Sequence, residues 1–175
     1  MDKGLDTGDI IDQRKIELAD DETGGSLFDK LAVLGGEIIT DTLIALENGT
    51  AKRVKQDDSL SSYARMLSKE MGLIDFTQSA VLLERLIRGL NPWPSAYTRL
   101  DGKLLKIFAA EVIPEKDVNC DEDAGTITDV DKEGFVVRCG EGALRVTNLQ
   151  LEGKKRMDTS AFLLGYNINR GMKLQ

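Results

Sequence analysis

Four runs of β-forming residues decide the fold of the second half of the chain: LLKIFAAEVI (104–113), GTITDV (125–130), FVVRC (135–139) and LRVTNL (144–149). Polar or glycine-containing turns flank and separate these runs, at 101–103, 115–124, 131–134 and 140–142. Short strands at this spacing are typical of a small barrel or sandwich. We therefore predict a mainly-β domain, for which a five-stranded OB-like barrel is the natural candidate at this size.

Helical patterns lie on both sides of the β-rich region. Thr77 is expected to open a helix whose apolar face carries Leu83, Leu86, Ile87 and Leu90. Asn91-Pro92 should end it, because proline disfavours the helical conformation in the residue before it. Further short elements are predicted: helices at Tyr63–Lys69 and Asp158–Leu164, and a closing strand at Met172–Leu174.

The first part of the chain has the pattern of half a βαβ unit. A strand is predicted at Asp9–Leu18, a glycine-rich turn at 20–25, and a long helix opening at Ser26 with Asp29 in a capping box. Leu27, Leu31, Leu34 and Ile38 follow at helical spacing, and Asn48-Gly49 ends the helix. Because one strand and one helix cannot cover a parallel sheet, we expect this segment to be the remnant of a larger doubly wound domain.

Composition excludes several functional classes. The chain has 175 residues, is 30% charged and contains no histidine, which removes the commonest general base and the usual nucleophilic triads. No apolar run approaches the roughly 20 residues that span a bilayer, and we expect a cytoplasmic protein with no membrane partner. Cys120 and Cys139 match no metal-ligand spacing and are interpreted as reduced thiols, so no metal is predicted.

Charge is distributed unevenly along the chain. Residues 1–75 carry 16 acidic and 9 basic side chains, whereas residues 76–175 carry 14 of each. The second part is therefore the more plausible surface for a polyanion. Its densest basic stretch is Gly153-Lys154-Lys155-Arg156-Met157, which follows a predicted strand and offers donors for phosphates. A solvated loop is the alternative, and the absence of a Walker pattern excludes nucleotide hydrolysis there.

Two other motifs have both a functional and a structural interpretation. Asp6, in Gly4-Leu5-Asp6-Thr7-Gly8-Asp9, lies in a tight loop and either holds a polar partner or simply forms a turn. Trp93, the only tryptophan, stands between two prolines in Asn91-Pro92-Trp93-Pro94. Its ring is suited to stacking on a base, but the favoured expectation is that it plugs one end of the barrel.

Taken in order, five stretches resemble methionyl-tRNA formyltransferase: MDKGLDTGDII, DETGGSLFDKLAVLGGE, SYARMLSKEMGLIDF, LERLIRGLNPWPSAYT and LQLEGKKRMDTSAFL. The resemblance covers residues 1 to about 165. It implies that residues 1–56 are the C-terminal remnant of the formyltransferase domain, 57–62 a linker and 63–175 an OB-like barrel. The Gly-Lys-Lys-Arg-Met stretch favours the branch of the family that acts on tRNA.

The resemblance also implies an activity and its participants. The family transfers a formyl group from 10-formyltetrahydrofolate to the amino group of methionine on initiator methionyl-tRNA. Asp6 matches the catalytic aspartate, but the upstream asparagine and histidine that act with it are absent, so this chain alone should not transfer formyl groups. Lys154, Lys155, Arg156 and Arg88 are the predicted tRNA contacts. The family is monomeric, whereas this chain is expected to self-associate through residues 1–56.

Two alternatives remain open. The first alternative is a stand-alone OB-like RNA-binding module. The second is the tail of a nucleotide-sugar formyltransferase without an RNA partner. The basic stretch at 154–156 weighs against the second, and the acidic net charge of −7 weighs against strong non-specific RNA binding. If RNA binding does not use that stretch, Arg85, Arg88, Arg99 and Lys103 are the next candidates.

Overall fold

The computed structural model describes residues 3–118 and 121–175, which form two compact units. The first unit comprises Met1–Asp20 and Ser26–Met66, and the second comprises Asp21–Gly25 and Leu67–Gln175. Cys120 lies outside the described residues.

Helix α1 (Gly24–Glu47) is the long helix predicted from the sequence, and it ends before Gly49, whose φ of 68° suits glycine. The expected start at Ser26 is wrong by two residues. A Cβ added to Gly24 would lie 2.4 Å from the carbonyl oxygen of Gly89, and the Gly25 amide donates to the carbonyl of Asn91. Helix α1 therefore begins at a position where a side chain would collide with the backbone of Gly89, and only glycine avoids this contact.

The strand predicted at Asp9–Leu18 is also wrong. Only Ile10 makes a bridge, with two backbone hydrogen bonds to Val54, and the rest of the segment has no strand neighbour in the described residues. A lone strand leaves its amides and carbonyls to water and is not stable by itself. The linker region contains one 3-10 turn, Asp58–Leu60.

Within α1, whose residues are all described, no side chain is buried. Leu31, Ile39 and Leu43 are each about half exposed or more. The predicted face of Leu27, Leu31, Leu34 and Ile38 therefore exists, but none of its residues is buried: Leu31 is exposed, and the other three are partly exposed. Every residue of the described hydrophobic core belongs to the second unit.

In the second unit, the 3-10 turn Lys69–Gly72 is followed by helix α2 (Ala80–Gly89). The helix predicted at Tyr63–Lys69 does not form. Tyr63 and Met66 are about 90% exposed, and a helix this short is unstable without packing. The expected start at Thr77 is wrong because the Asp75 carboxylate accepts from the amide and hydroxyl of Thr77, and Ser79 caps α2 instead.

In the part of the chain that the structure describes, six strands form one antiparallel sheet in the order β1-β2-β5-β4-β3, with β6 paired to β5. Their bounds are Ala96–Leu100 (β1), Lys103–Ile113 (β2), Ile127–Val130 (β3), Phe135–Arg138 (β4), Ala143–Leu151 (β5) and Met157–Asp158 (β6). The four predicted runs correspond to β2, β3, β4 and β5. Strands β1 and β6 were not predicted from the sequence. Helix α3 (Thr159–Leu163) confirms the short helix predicted there.

The last five residues bond to strands at both ends of this sheet. The Ile127 amide donates to the carbonyl of Met172, and the Leu174 amide donates to the carbonyl of Gly125, beside β3. On the other side, Arg99 and Gln175 exchange two backbone hydrogen bonds next to β1. The predicted closing segment at Met172–Leu174 therefore pairs as expected, although only Lys173 forms a bridge.

The core packs α2 and the sheet together. Phe135, Leu105, Ile107, Ile127 and Leu149 are all fully buried. Ile87 and Leu83 of α2 belong to the same cluster, as do Phe162 of α3 and Leu174 of the C-terminal segment. This cluster supplies the hydrophobic stabilisation of the second unit, since burial of apolar side chains is the main favourable contribution to folding.

Replacing Phe135 by alanine should destabilise the second unit strongly. The ring is fully buried, and removing such a ring typically costs about 3–5 kcal/mol. Phe28 on α1 is 73% exposed, so Phe28→Ala is a matched control that should change the free energy of unfolding by only about 0.5 kcal/mol. Urea unfolding followed by circular dichroism measures both. Equal losses for the two variants would contradict this assignment of the core.

We also expect the exposed apolar face of α1 to make the chain self-associate, because patches of this kind are usually interaction surfaces. Sedimentation velocity at increasing concentrations should show species larger than the monomer. Substituting Leu31→Lys together with Ile38→Lys should shift the distribution to monomer, whereas Thr40→Lys with Asn48→Lys should not. A chain that stays monomeric at all concentrations would exclude this association.

Candidate functional site

Asp6 lies in an exposed loop of the first unit. Its φ is 57°, a left-handed backbone conformation that aspartate tolerates better than most residues. The Gln56 side-chain amide donates to the carbonyls of Asp6 and Gly8, at 2.8 and 2.7 Å. The loop is therefore fixed by a residue 50 positions later, and the Ile10–Val54 bridge continues that contact.

A cleft of about 1200 Å³ lies beside this loop, within the first unit. Asp6 and Gln56 line it together with the apolar side chains of Leu5, Tyr63 and Met66. These three side chains are each about 90% exposed, so the cleft is open. A pocket that buries most of a small ligand needs further walls.

The basic stretch of the second unit forms the turn between β5 and β6. Gly153 has a φ of 76°, and the Lys154 amide donates to the carbonyl of Leu151. Gln150 donates its side-chain amide to the carbonyl of Lys154, which fixes the turn from the strand side. Lys154 and Lys155 are exposed at its tip. We refer to residues 153–156 as the basic turn.

Arg156 makes several side-chain contacts at the end of the basic turn. Its Nε donates to Asn148 Oδ1 at 2.6 Å, and Nη1 lies 3.5 Å from Asn91 Oδ1. The guanidinium carbon stands 4.2 Å from the centroid of the Phe108 ring, a cation–π distance. Arg156 is thus held by three side chains from separate parts of the second unit.

Arg88, the fourth predicted tRNA contact, lies on α2 and is partly buried. Its Nε donates to Glu84 at 2.7 Å, and Nη1 donates to the carbonyl of Glu22 at 2.7 Å. Because the Glu84 carboxylate neutralises the Arg88 guanidinium, the pair offers an RNA phosphate little net positive charge. Of the other cationic candidates, Arg99 donates to the carbonyl of Gly102, and Arg85 and Lys103 are exposed.

The expectation that Trp93 plugs the barrel is wrong, because its side chain is 57% exposed. The neighbouring Pro94 and Ser95 are buried instead. The Asn91-Pro92 and Trp93-Pro94 peptide bonds are both cis. Asn91, Phe108 and Asn148 were not predicted from the sequence as site residues, because their convergence on Arg156 depends on long-range packing that local residue patterns do not specify.

Cys139 shows no sign of a catalytic role. The thiol is buried, and this burial raises its pKa to about 12, which keeps it protonated and unreactive near neutral pH.

Within the described ranges, no group of three or more His, Cys, Asp or Glu side chains is arranged to hold a metal ion. In the same ranges, none of the helices combines the length and apolar character required to cross a membrane.

Residues 66–167 match the formyl transferase C-terminal domain, and the chain belongs to that family. Curated relatives of the chain include methionyl-tRNA formyltransferases from Lachnospira eligens and Geobacter metallireducens, which are 52% and 48% identical. Each alignment covers 99% of this chain but only 56% and 54% of the relative. The resemblance seen in the sequence is therefore confirmed, and the chain spans about half the length of the curated relatives it matches.

Solved structures of two further proteins have a similar fold. HypX from Aquifex aeolicus, solved in complex with tetrahydrofolic acid, matches 94% of this chain with a TM-score of 0.64 at 19% identity, over 28% of its own length. An N-formyltransferase from Helicobacter canadensis, in complex with folinic acid and dTDP-3-aminofucose, matches 83% of the chain and 52% of its own length, with a TM-score of 0.57 at 19% identity. At these identities the likeness establishes the fold alone.

Proposed function

We propose that this chain is the tRNA-binding, C-terminal part of an enzyme that formylates initiator methionyl-tRNA in the cytoplasm. The observation that carries the proposal is the exposed, backbone-fixed basic turn at Lys154–Lys155, in a chain that matches methionyl-tRNA formyltransferases along its whole length. Phosphate contacts of this type position a protein on nucleic acid without reading its sequence.

We further propose that residues 63–175 form an OB-like barrel, preceded by a linker at 57–62 and a doubly wound domain remnant at 1–56. The hydrogen bonds of the C-terminal segment to both β1 and β3 support the barrel, because they connect the two ends of the sheet. The assignment of residues 1–56 as a remnant is supported by the apolar face of α1, on which no residue is buried.

For Asp6 we propose the role of the catalytic aspartate, with 10-formyltetrahydrofolate as formyl donor. In such a reaction the developing oxyanion needs preorganised donors and the amino group needs a base. Gln56 holds the Asp6 loop in one conformation, but the chain has no histidine for the carboxylate to orient. The open cleft beside the loop also lacks the walls that would bury a folate.

The chain alone is therefore expected to transfer no formyl group. Incubation with 10-formyltetrahydrofolate and initiator methionyl-tRNA should yield no formylmethionine above a protein-free blank, measured by mass spectrometry of the released amino acid. A full-length relative under the same conditions serves as the positive control. Turnover by the isolated chain would show that its own residues complete an active site.

Initiator methionyl-tRNA should nevertheless bind the chain in a salt-dependent manner. Lys154→Glu with Lys155→Glu should weaken binding at least tenfold and reduce the slope of log K against log salt by about 1.5, since each lost phosphate contact removes roughly 0.7–0.9. A mobility-shift titration at several salt concentrations measures both quantities. Lys116→Glu with Lys132→Glu reverses the same charge elsewhere and serves as the control.

The outcome separates the remaining alternatives. Binding of initiator and elongator tRNA with equal affinity would favour a general RNA-binding module over a part of an initiator-specific enzyme. No binding of any tRNA would favour the tail of a nucleotide-sugar formyltransferase. The Helicobacter canadensis N-formyltransferase solved with dTDP-3-aminofucose, to which this chain is similar in fold, is an example of a protein with such a ligand.

A further inference from the structure

The contacts of Arg156 set it apart from the two lysines beside it. Its guanidinium stacks over Phe108 and reaches Asn148 and Asn91, whereas Lys154 and Lys155 extend into solvent. Asn91 also donates to the carbonyl of Phe108 at 3.1 Å, and Asn148 donates to Asp158 at 2.8 Å. The guanidinium is therefore already matched to protein groups, so it is better placed to hold the basic turn than to bind a phosphate.

Asn91 belongs to the turn that presents Trp93. Its backbone carbonyl accepts from the Gly25 amide, and Ser95 donates its hydroxyl to the carbonyl of Pro92 at 2.7 Å. The Ser95 amide donates to Leu90, so this turn is fixed on both sides. A half-exposed indole on a fixed backbone loses little conformational freedom when it stacks on a ligand.

The contact between Asn91 and Arg156 brings this turn beside the basic turn. Consecutive Cα atoms are at most about 3.8 Å apart, so the Cα of Trp93 lies within roughly 8 Å of that of Asn91. Lys155 is adjacent to Arg156. Glu152 and Asp158 flank the basic turn; Glu152 accepts from the Leu104 amide and Asp158 accepts from Asn148. Residues 152–158 carry three cations and two anions, so the net formal charge of this stretch is +1.

We propose that the Asn91–Pro94 turn and the basic turn form one composite surface for an unpaired nucleotide of the tRNA. Trp93 stacks on the base, Lys154 and Lys155 meet the adjoining phosphates, and Arg156 is a positioning residue that keeps the two turns together. Proteins that bind single-stranded nucleic acid combine aromatic platforms with cationic backbone contacts in this way. The inference rests on the proposed function and names the part of the surface that contacts a base.

The chain offers a direct probe, because Trp93 is its only tryptophan. Titration with initiator methionyl-tRNA should quench the indole fluorescence saturably and protect it from acrylamide, with the same midpoint as the mobility shift. A short single-stranded oligoribonucleotide should quench the signal as well, whereas a blunt RNA duplex of equal charge should not. Binding without a change in fluorescence or protection would overturn the composite surface and leave the proposed function standing.

Three variants assign the roles. Trp93→Ala should weaken binding roughly tenfold, the usual scale of one base–aromatic stack, with an unchanged salt slope. Lys154→Gln with Lys155→Gln should lower the slope of log K against log salt, because two phosphate contacts are lost. Arg156→Lys keeps the charge but loses the planar contacts, so it should weaken binding and reduce the quenching at constant slope.

Each opposite result counts against the inference. Full affinity in Arg156→Lys, with a reduced slope in Arg156→Gln, would make Arg156 a phosphate ligand and remove its positioning role. Unchanged affinity in Trp93→Ala would remove the base platform, and this exposed site should tolerate the substitution without unfolding. Lys116→Gln with Lys132→Gln is the charge-matched control. Absence of tRNA binding to the unsubstituted chain would reject both the proposed function and this surface.

Discussion

Backbone hydrogen bonds from the last five residues connect the two ends of the antiparallel sheet, and much of the second unit depends on them. Without that segment, the backbone groups of Arg99, Gly125 and Ile127 that it binds would be unpaired, which is an unfavourable arrangement at the edges of a small sheet. Leu174 adds to this connection from inside, because its side chain is part of the core. The end of the chain is thus a structural element of the domain.

Two arginines illustrate how the same side chain serves different purposes in this fold. Arg138 is 7% exposed and pairs with both carboxylate oxygens of Glu115, while it also donates to the carbonyl of Gly142. A buried guanidinium requires such complete pairing, since an unpaired buried charge costs several kcal/mol. Arg156 is exposed and makes looser contacts that join two turns. The first holds the sheet together, and the second shapes its surface.

The two units differ in how far they can stabilise themselves. The second has a continuous core of fully buried side chains, whereas the first has an amphipathic helix with no buried residue and a loop held by one glutamine. The curated relatives are nearly twice as long as this chain.

The sequence by itself determined the mainly-β character of the second half, the long helix after residue 24 and the family resemblance. These depend on local patterns: β-branched runs between turns, apolar residues at helical spacing, and glycine at the helix end. The sequence also identified the basic turn, because three consecutive cations are visible without a structure. It overestimated local propensity at Asp9–Leu18 and Tyr63–Lys69, where no neighbour is present to pair with or to bury the apolar side chains.

Only the tertiary structure decided how these pieces combine. Strand order places Asn148 beside Arg156, and the turn after α2 brings Asn91 to the same guanidinium, although 65 residues separate the two in sequence. The exposure of Trp93, the hydrogen bond of Arg88 to the carbonyl of Glu22 and the hydrogen bonds of Gln56 to the Asp6 loop likewise depend on contacts between distant residues. Local residue patterns specify helices and strands, but long-range contacts arise from packing of the whole chain, and the candidate site is made of such contacts.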